Sequence, residues 1–171
     1  MNIILVGMMG SGKTTIGKEL SKNFPEFDYI DIDEEIERST QKKISEIFLQ
    51  HGESFFRMLE SEKIAKICQK NNQIISTGGG AFENPQNREI LLNCGNVIYL
   101  KASPEEIFNR IKAETHRPLL RKDFSIEKIS KILNLREDNY KKAHRIIDTD
   151  KKTPEQIVSE IVGVLNDWSK N

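Results

Sequence analysis

Short apolar runs alternate with longer amphipathic segments along this chain. The runs are Asn2 to Val6, Phe27 to Ile30, Ile74 to Ser76, Val97 to Leu100 and a brief Ile146-Ile147-Asp148. They are rich in Ile and Val, as expected for strands covered by helices on both faces, so the alternation predicts an α/β fold with a parallel sheet. Helix starts are well marked. Ser103-Pro104-Glu105-Glu106 sets an N-cap Ser, a first-turn Pro and an N3 Glu in order, and Thr153-Pro154-Glu155-Gln156 repeats the device. Asn84-Pro85 reads as a third capped start. In the last helix Ile157, Ile161, Val164, Leu165 and Trp168 fall on one stripe, which predicts Trp168 as a core anchor. No repeat, low-complexity tract or linker interrupts the pattern, so a single domain over residues 1–171 is expected.

Charge narrows the partners. Lys plus Arg and Asp plus Glu number 26 each, a formal net charge of +0. A balanced chain exerts no long-range pull on nucleic acid or anionic membrane, so neither is expected as a partner, and any bound anion must be caught by local arrangement. The apolar run Ile3-Ile4-Leu5-Val6 is too short for a signal segment or a membrane span, and the expected location is the cytoplasm. Cys68 and Cys94 each sit in an otherwise apolar helical stretch without a CxxC partner or a nearby His. Both are expected to be small buried hydrophobes with no metal or redox role.

Candidate chemistry begins directly after the first strand. Gly7-Met8-Met9-Gly10-Ser11-Gly12-Lys13-Thr14 matches GxxxxGK(S/T). Glycines let successive backbone N–H groups wrap a phosphate, and the helix beginning near Lys13 adds the positive end of its dipole. Lys13 is placed to reach the β- and γ-phosphates, and the Thr14 hydroxyl to ligate Mg²⁺. A bare strand–helix turn would also use glycine. Here, however, Ile16, Leu20 and Phe24 follow as a one-faced helix, the context that makes the motif specific for nucleotide phosphate. Gly10, Ser11, Gly12, Lys13, Thr14 and Thr15 are the candidate nucleotide contacts.

Four further features point to an acceptor side. Asp31-Ile32-Asp33 follows the second strand, where open parallel sheets bind ligands. One carboxylate can steady a metal shell and the other can orient or deprotonate a hydroxyl, while either can simply cap the next helix. Arg57 lies among Phe55, Phe56, Met58 and Leu59. Arg136 falls in the stripe Ile126, Ile129, Leu133, Arg136, Tyr140, so its guanidinium faces inward and needs an anion, either an internal carboxylate or a ligand's carboxylate or phosphate. Gly78-Gly79-Gly80 follows the third strand and permits close backbone approach to a ligand. Arg117 occupies a charged stretch between two helices, suited to meet phosphoryl charge from a closing lid of about residues 112–124.

Together, Gly7 to Thr15, Asp31-Ile32-Asp33, Phe56-Arg57, Ser76-Thr77-Gly78-Gly79-Gly80, Arg117-Pro118-Leu119-Leu120 and Arg136 with Tyr140 resemble the shikimate kinase family in order and spacing over nearly the whole chain. The resemblance implies a three-layer P-loop kinase fold: a five-stranded parallel sheet with the P-loop strand in the middle, flanked by helices, and a mobile lid. It implies transfer of the ATP γ-phosphate to the 3-hydroxyl of shikimate, in the route to chorismate and the aromatic amino acids, by a monomer using Mg²⁺. Lys13, Asp33 and Arg117 would then be catalytic, with Asp33 the base, and Asp31 would reach the metal through water. Arg57 and Arg136 would hold the shikimate carboxylate, Gly78, Gly79 and Gly80 would line the acceptor, and Arg110 and Lys152 would lie near adenine. Ser76 stands where P-loop proteins at large carry an Asp, as it does in this family. The alternatives are another small-molecule kinase such as a gluconate kinase, and a nucleotide-binding module without turnover.

Overall fold

The computed structural model describes residues 1–113 and 125–168, with side chains to residue 167. Residues 114–124, most of the expected lid with Arg117, and the Trp168 side chain lie outside the described residues. Five parallel strands form the sheet: β1 (Asn2–Val6), β2 (Asp28–Asp31), β3 (Gln73–Ser76), β4 (Gly95–Lys101) and β5 (Arg145–Asp148), in the order β2-β3-β1-β4-β5. The strand leading into the phosphate loop is therefore central, as expected. Seven α-helices, α1 (Lys13–Asn23), α2 (Ile32–Thr40), α3 (Ile44–Ile67), α4 (Pro85–Cys94), α5 (Pro104–Ala113), α6 (Ile126–Tyr140) and α7 (Pro154–Trp168), and a 3-10 turn (Ala81–Glu83) complete the described elements.

The unbroken apolar strands are explained by two cores. Alternate residues of each strand face opposite sides. Ile4, Val6, Ile75, Val97 and Tyr99 pack with residues of α2 to α6, including Ile36, Phe56, Ile64 and Leu133. Ile3, Leu5, Ile74, Ile98, Leu100 and Ile147 pack with Ile16 and Leu20 of α1 and Ile157, Val158, Ile161 and Leu165 of α7. All five residues of β1 are buried. A helical layer covers each face, which is the three-layer arrangement that the sequence pattern predicts.

The expected caps form. Asn84 Oδ1 accepts from the Gln86 and Asn87 amides, and Ser103 Oγ accepts from the Glu106 amide. Thr153 and Gln156 make a reciprocal capping pair at 3.3 and 2.9 Å. The strand bounds shift by a residue or more. Phe27 stays outside β2 because its amide closes a turn onto the Phe24 carbonyl and its ring packs edge-on against Phe24. The α6 stripe starts one turn late, since Ile126 is exposed while Ile129, Leu133 and Tyr140 are buried.

The cysteines require a correction. Cys68 caps the C-terminal end of α3 and Cys94 ends α4, and both are half-buried rather than fully enclosed. Their sequence separation hides the fact that the two helix ends meet.

Candidate active site

Parallel strands bring the carboxyl ends of β1, β2 and β3 to one edge of the sheet, and every acceptor-side candidate among the described residues gathers there. Gly10 and Gly12 have φ of 82° and 94°, the left-handed region that turns the loop's amides inward. The Ser11 amide closes the loop onto the Met8 carbonyl at 3.1 Å. Lys13 opens α1 and is only 8% exposed, and its Nζ donates to the Gly7 and Met8 carbonyls at 2.8 and 2.9 Å. Its ammonium thus stands inside the curve of the loop. Thr15 is exposed on the first turn of α1.

Thr14 and Asp31 meet across this edge, with the Thr14 hydroxyl donating to Asp31 Oδ2 at 3.0 Å. Asp31 also caps α2, its Oδ1 accepting from the Asp33 and Glu34 amides at 3.0 and 3.4 Å. Capping and positioning coexist because the two oxygens face different ways. The Tyr29 hydroxyl reaches both Asp31 Oδ2 and Ser76 Oγ, at 3.4 and 3.3 Å, and Ser76 Oγ donates to the Lys13 carbonyl. Burial is the main reason the Tyr29 phenol is pushed up to about 12.

Asp33 sits one helical step further in. Its Oδ1 is buried without a hydrogen-bond partner among the described residues. Burial first, then the charges of Asp31 and Glu60, raise its carboxyl from 3.8 to about 6, against the opposing pull of Lys13 and Arg57. A carboxylate tuned toward neutral pH beside an ammonium has the properties of a general base.

The triple glycine explains how the two arginines converge. A Cβ placed on Gly80 would lie 2.5 Å from Arg57 Nη2, and one on Gly79 would lie 3.0 Å from the Met9 amide and 3.7 Å from Arg136 Nη1. A Cβ on Gly78 would lie 2.7 Å from Glu60 Oε1 and 3.0 Å from Asp33 Oδ1. The loop thus runs against the phosphate loop, two guanidiniums and two carboxylates, and a side chain on it would have to displace one of them. Arg136 Nη1 and the Tyr140 hydroxyl both donate to the Gly79 carbonyl. Gly80 has ordinary helical torsions, φ −100° and ψ −5°. Gly80→Ala therefore tests contact alone. We expect it to displace Arg57 and raise the acceptor KM about tenfold, with the ATP KM and the melting temperature nearly unchanged, as steady-state kinetics and thermal denaturation would record.

Glu60 is the member of the cluster that the sequence reading missed. It is fully buried and accepts from Arg57 Nη1 at 2.8 Å, while Arg57 Nη2 pairs with the exposed Glu53 at 3.2 Å. Burial raises the Glu60 carboxyl, with the hydrogen bond from Arg57 and the charges of Arg57 and Arg136 opposing. The signal was present: Phe56, Glu60, Ile64 and Ile67 form the apolar stripe of α3, and an acid there faces inward for the same reason as Arg136.

Arg110, expected near adenine, borders the phosphate loop. It donates to the Ser11 carbonyl at 3.2 Å and to the Thr149 hydroxyl and carbonyl at 3.0 and 2.8 Å, tying the loop to the end of β5. Lys152, three residues beyond, turns its ammonium onto Glu160 of α7, at 2.7 and 3.0 Å from the two oxygens. Arg117 lies outside the described residues.

The oxygens beside the loop also fit Mg²⁺. The described residues hold no group of three or more His, Cys, Asp or Glu side chains able to cage a metal. A hydroxyl and a carboxylate 3.0 Å apart next to a phosphate cradle suit a hard ion that keeps water and takes phosphate oxygens. Among the described residues, no helix is long and apolar enough to cross a membrane.

A family model described as "Shikimate kinase" matches residues 9–166. The shikimate kinase of Thermodesulfovibrio yellowstonii is 44% identical over 161 residues, covering 94% of this chain and 92% of that protein. The solved structure of shikimate kinase from Acinetobacter baumannii in complex with shikimate superposes with a TM-score of 0.90 at 34% identity, over 97% of this chain and 93% of that one. A gluconokinase from Sinorhizobium meliloti superposes with a TM-score of 0.63 at 16% identity, over 99% and 94% of the two chains, a likeness of fold alone.

Proposed function

The chain belongs to the shikimate kinase family, and from that premise we propose that it transfers the γ-phosphate of ATP to the 3-hydroxyl of shikimate, giving shikimate 3-phosphate and ADP. One observation carries the reading. The glycine loop that touches Arg57 and Arg136 on one side approaches the Met9 amide of the phosphate loop on the other. An acid held by the two guanidiniums therefore stands next to the nucleotide's terminal phosphate. An uncharged polyol gives two converging forks no comparable partner.

In this mechanism the loop amides of Gly10, Ser11 and Gly12 cradle the phosphates, and Lys13 exchanges its two carbonyl partners for β- and γ-phosphate oxygens. Thr14 and, through water, Asp31 would hold Mg²⁺, which would offset charge on the phosphates. Thr15, Arg110 and the loop carrying Lys152 border the nucleotide. Arg57 and Arg136 grip the acceptor carboxylate beside the backbone of Gly78, Gly79 and Gly80. The buried Glu60 fixes the aim of Arg57, while exposed Glu53 yields its side of the fork, because an exposed ion pair is worth little. Asp33 takes the proton of the attacking hydroxyl. Arg117, on the segment 112–124, adds positive charge to the transferred phosphoryl group. The enzyme works as one cytoplasmic domain and as a monomer.

An ADP-release assay with shikimate, gluconate and AMP as acceptors tests the reading. We expect turnover with shikimate alone, and activity confined to gluconate or AMP would overturn it. Mg-ATP binding without turnover on any acceptor would instead identify a nucleotide-binding module. Arg136→Lys keeps the charge and loses the fork. It should raise the acceptor KM by about tenfold, equivalent to ~1.4 kcal/mol, and leave the ATP KM unchanged. An unaltered acceptor KM would remove Arg136 from the acceptor site.

A further inference from the structure

The half-buried Cys68 and Cys94 form a thiol pair that the phosphotransfer reading does not use. Both line an open groove of about 400 Å³ together with Ala65, Gln69, Glu89 and Asn93, between the end of α3 and α4. The two thiols stand within hydrogen-bonding reach of each other. Asn2 directs its Nδ2 at the same place, 3.9 Å from the Cys94 sulfur, and that amide is fixed by the Lys70 carbonyl at 2.8 Å and the Cys94 carbonyl at 3.2 Å.

We propose that Cys68 and Cys94 are a thiol–disulfide exchange site that takes low-molecular-weight disulfides and closes to an intramolecular Cys68–Cys94 bridge. The inference is independent of the phosphotransfer reading. Each sulfur sits at a helix C-terminus, where the dipole disfavours a thiolate, so local donors decide which one attacks. Cys94 has two, the Cys68 thiol and the Asn2 amide. The hydrogen bond from Cys68, with the Asn2 amide 3.9 Å away, lowers the Cys94 thiol against the cost of burial. The same bond, together with burial, raises the Cys68 thiol. Cys94 is therefore the attacking sulfur and Cys68 the resolving one.

The chemistry balances in two steps. The Cys94 thiolate attacks one sulfur of the external disulfide, forms a mixed disulfide and expels one thiolate. Cys68 then loses its proton and attacks Cys94 Sγ, forming the internal bridge and expelling the second thiolate. The protein thiols lose two electrons and the external disulfide gains them, and the two protons end on the released thiols. The bridge joins α3, which carries Arg57 and Glu60, to α4, which follows the glycine loop.

The full-length protein is incubated folded with oxidised glutathione at neutral pH, quenched by alkylation and digested for mass spectrometry. The expected product is a cross-linked Cys68–Cys94 peptide lighter by two hydrogens, reversed by dithiothreitol. Cys68→Ser should stop at a stable glutathione adduct on Cys94. Cys94→Ser should react at Cys68 about tenfold more slowly or less. Two free thiols in the folded wild type, or glutathione adducts that never resolve to the bridge, would overturn the proposal. Equal adduct rates in the two single variants would overturn it as well.

Discussion

Lys13→Met is expected to lower kcat by about three orders of magnitude, while ATP affinity changes less than about tenfold. The asymmetry follows from where the ammonium stands. Its Nζ lies inside the phosphate loop, against the Gly7 and Met8 carbonyls, in a site that is 8% exposed. Ground-state phosphates are already met by the loop amides and the helix dipole, so one missing cation weakens binding modestly. Charge moving toward the β–γ bridge during transfer would be met there by the Lys13 ammonium and by the magnesium ion expected at Thr14 and Asp31. Met preserves the length of the side chain and leaves two carbonyls short of a donor, a cost of about 1–2 kcal/mol that the fold tolerates. The ADP-release assay gives kcat and calorimetry gives ATP affinity. A kcat within tenfold of wild type would remove Lys13 from the transition state.

Asp33→Asn should lower kcat about a hundredfold or more, because the substitution keeps the shape and removes the base. The pH dependence is the sharper measurement. In the wild type, kcat/KM should rise with pH and level off above about 6, the value to which burial and the neighbouring acids raise this carboxyl. The variant should lose that rise. Stability should move the other way. The folded value lies above the ordinary 3.8, so the ionised form is disfavoured by folding. Ionised Asp33 therefore costs the native state increasingly as pH climbs from about 4 to about 6, and by a constant ~1–3 kcal/mol above that. The Asn variant escapes the cost, and its melting temperature should exceed that of the wild type above pH 6 and converge with it below pH 4. A wild-type pH profile flat through 6, or equal melting temperatures at pH 7, would contradict the placement of the group.

The elements differed in how far they could be read from sequence. The phosphate loop was fully legible, because its chemistry is local: glycines, a lysine and a hydroxyl within eight consecutive residues, between a strand and a helix. Arg136 was legible as an inward charge because a period of 3.6 residues exposes the misfit. Glu60 breaks the same rule on α3, yet Gly52, at φ 79° and ψ 173°, interrupts that helix and blurs the periodicity. The three glycines were read as room for a ligand. Their neighbours, Arg57 on α3, Arg136 on α6 and Met9 on the loop, come from segments far apart in the chain.

Sequence alone therefore determined the strand–helix alternation, the caps and the phosphate cradle, since each depends on interactions spanning only a few residues. Tertiary structure decided what those parts face. It set Asp33 within the fields of Lys13 and Glu60, gave Arg57 a buried acid to lean on, and brought the ends of α3 and α4 together around two thiols. Burial and charge act through space, and their strength depends on distances that only the assembled sheet and its two helical layers fix.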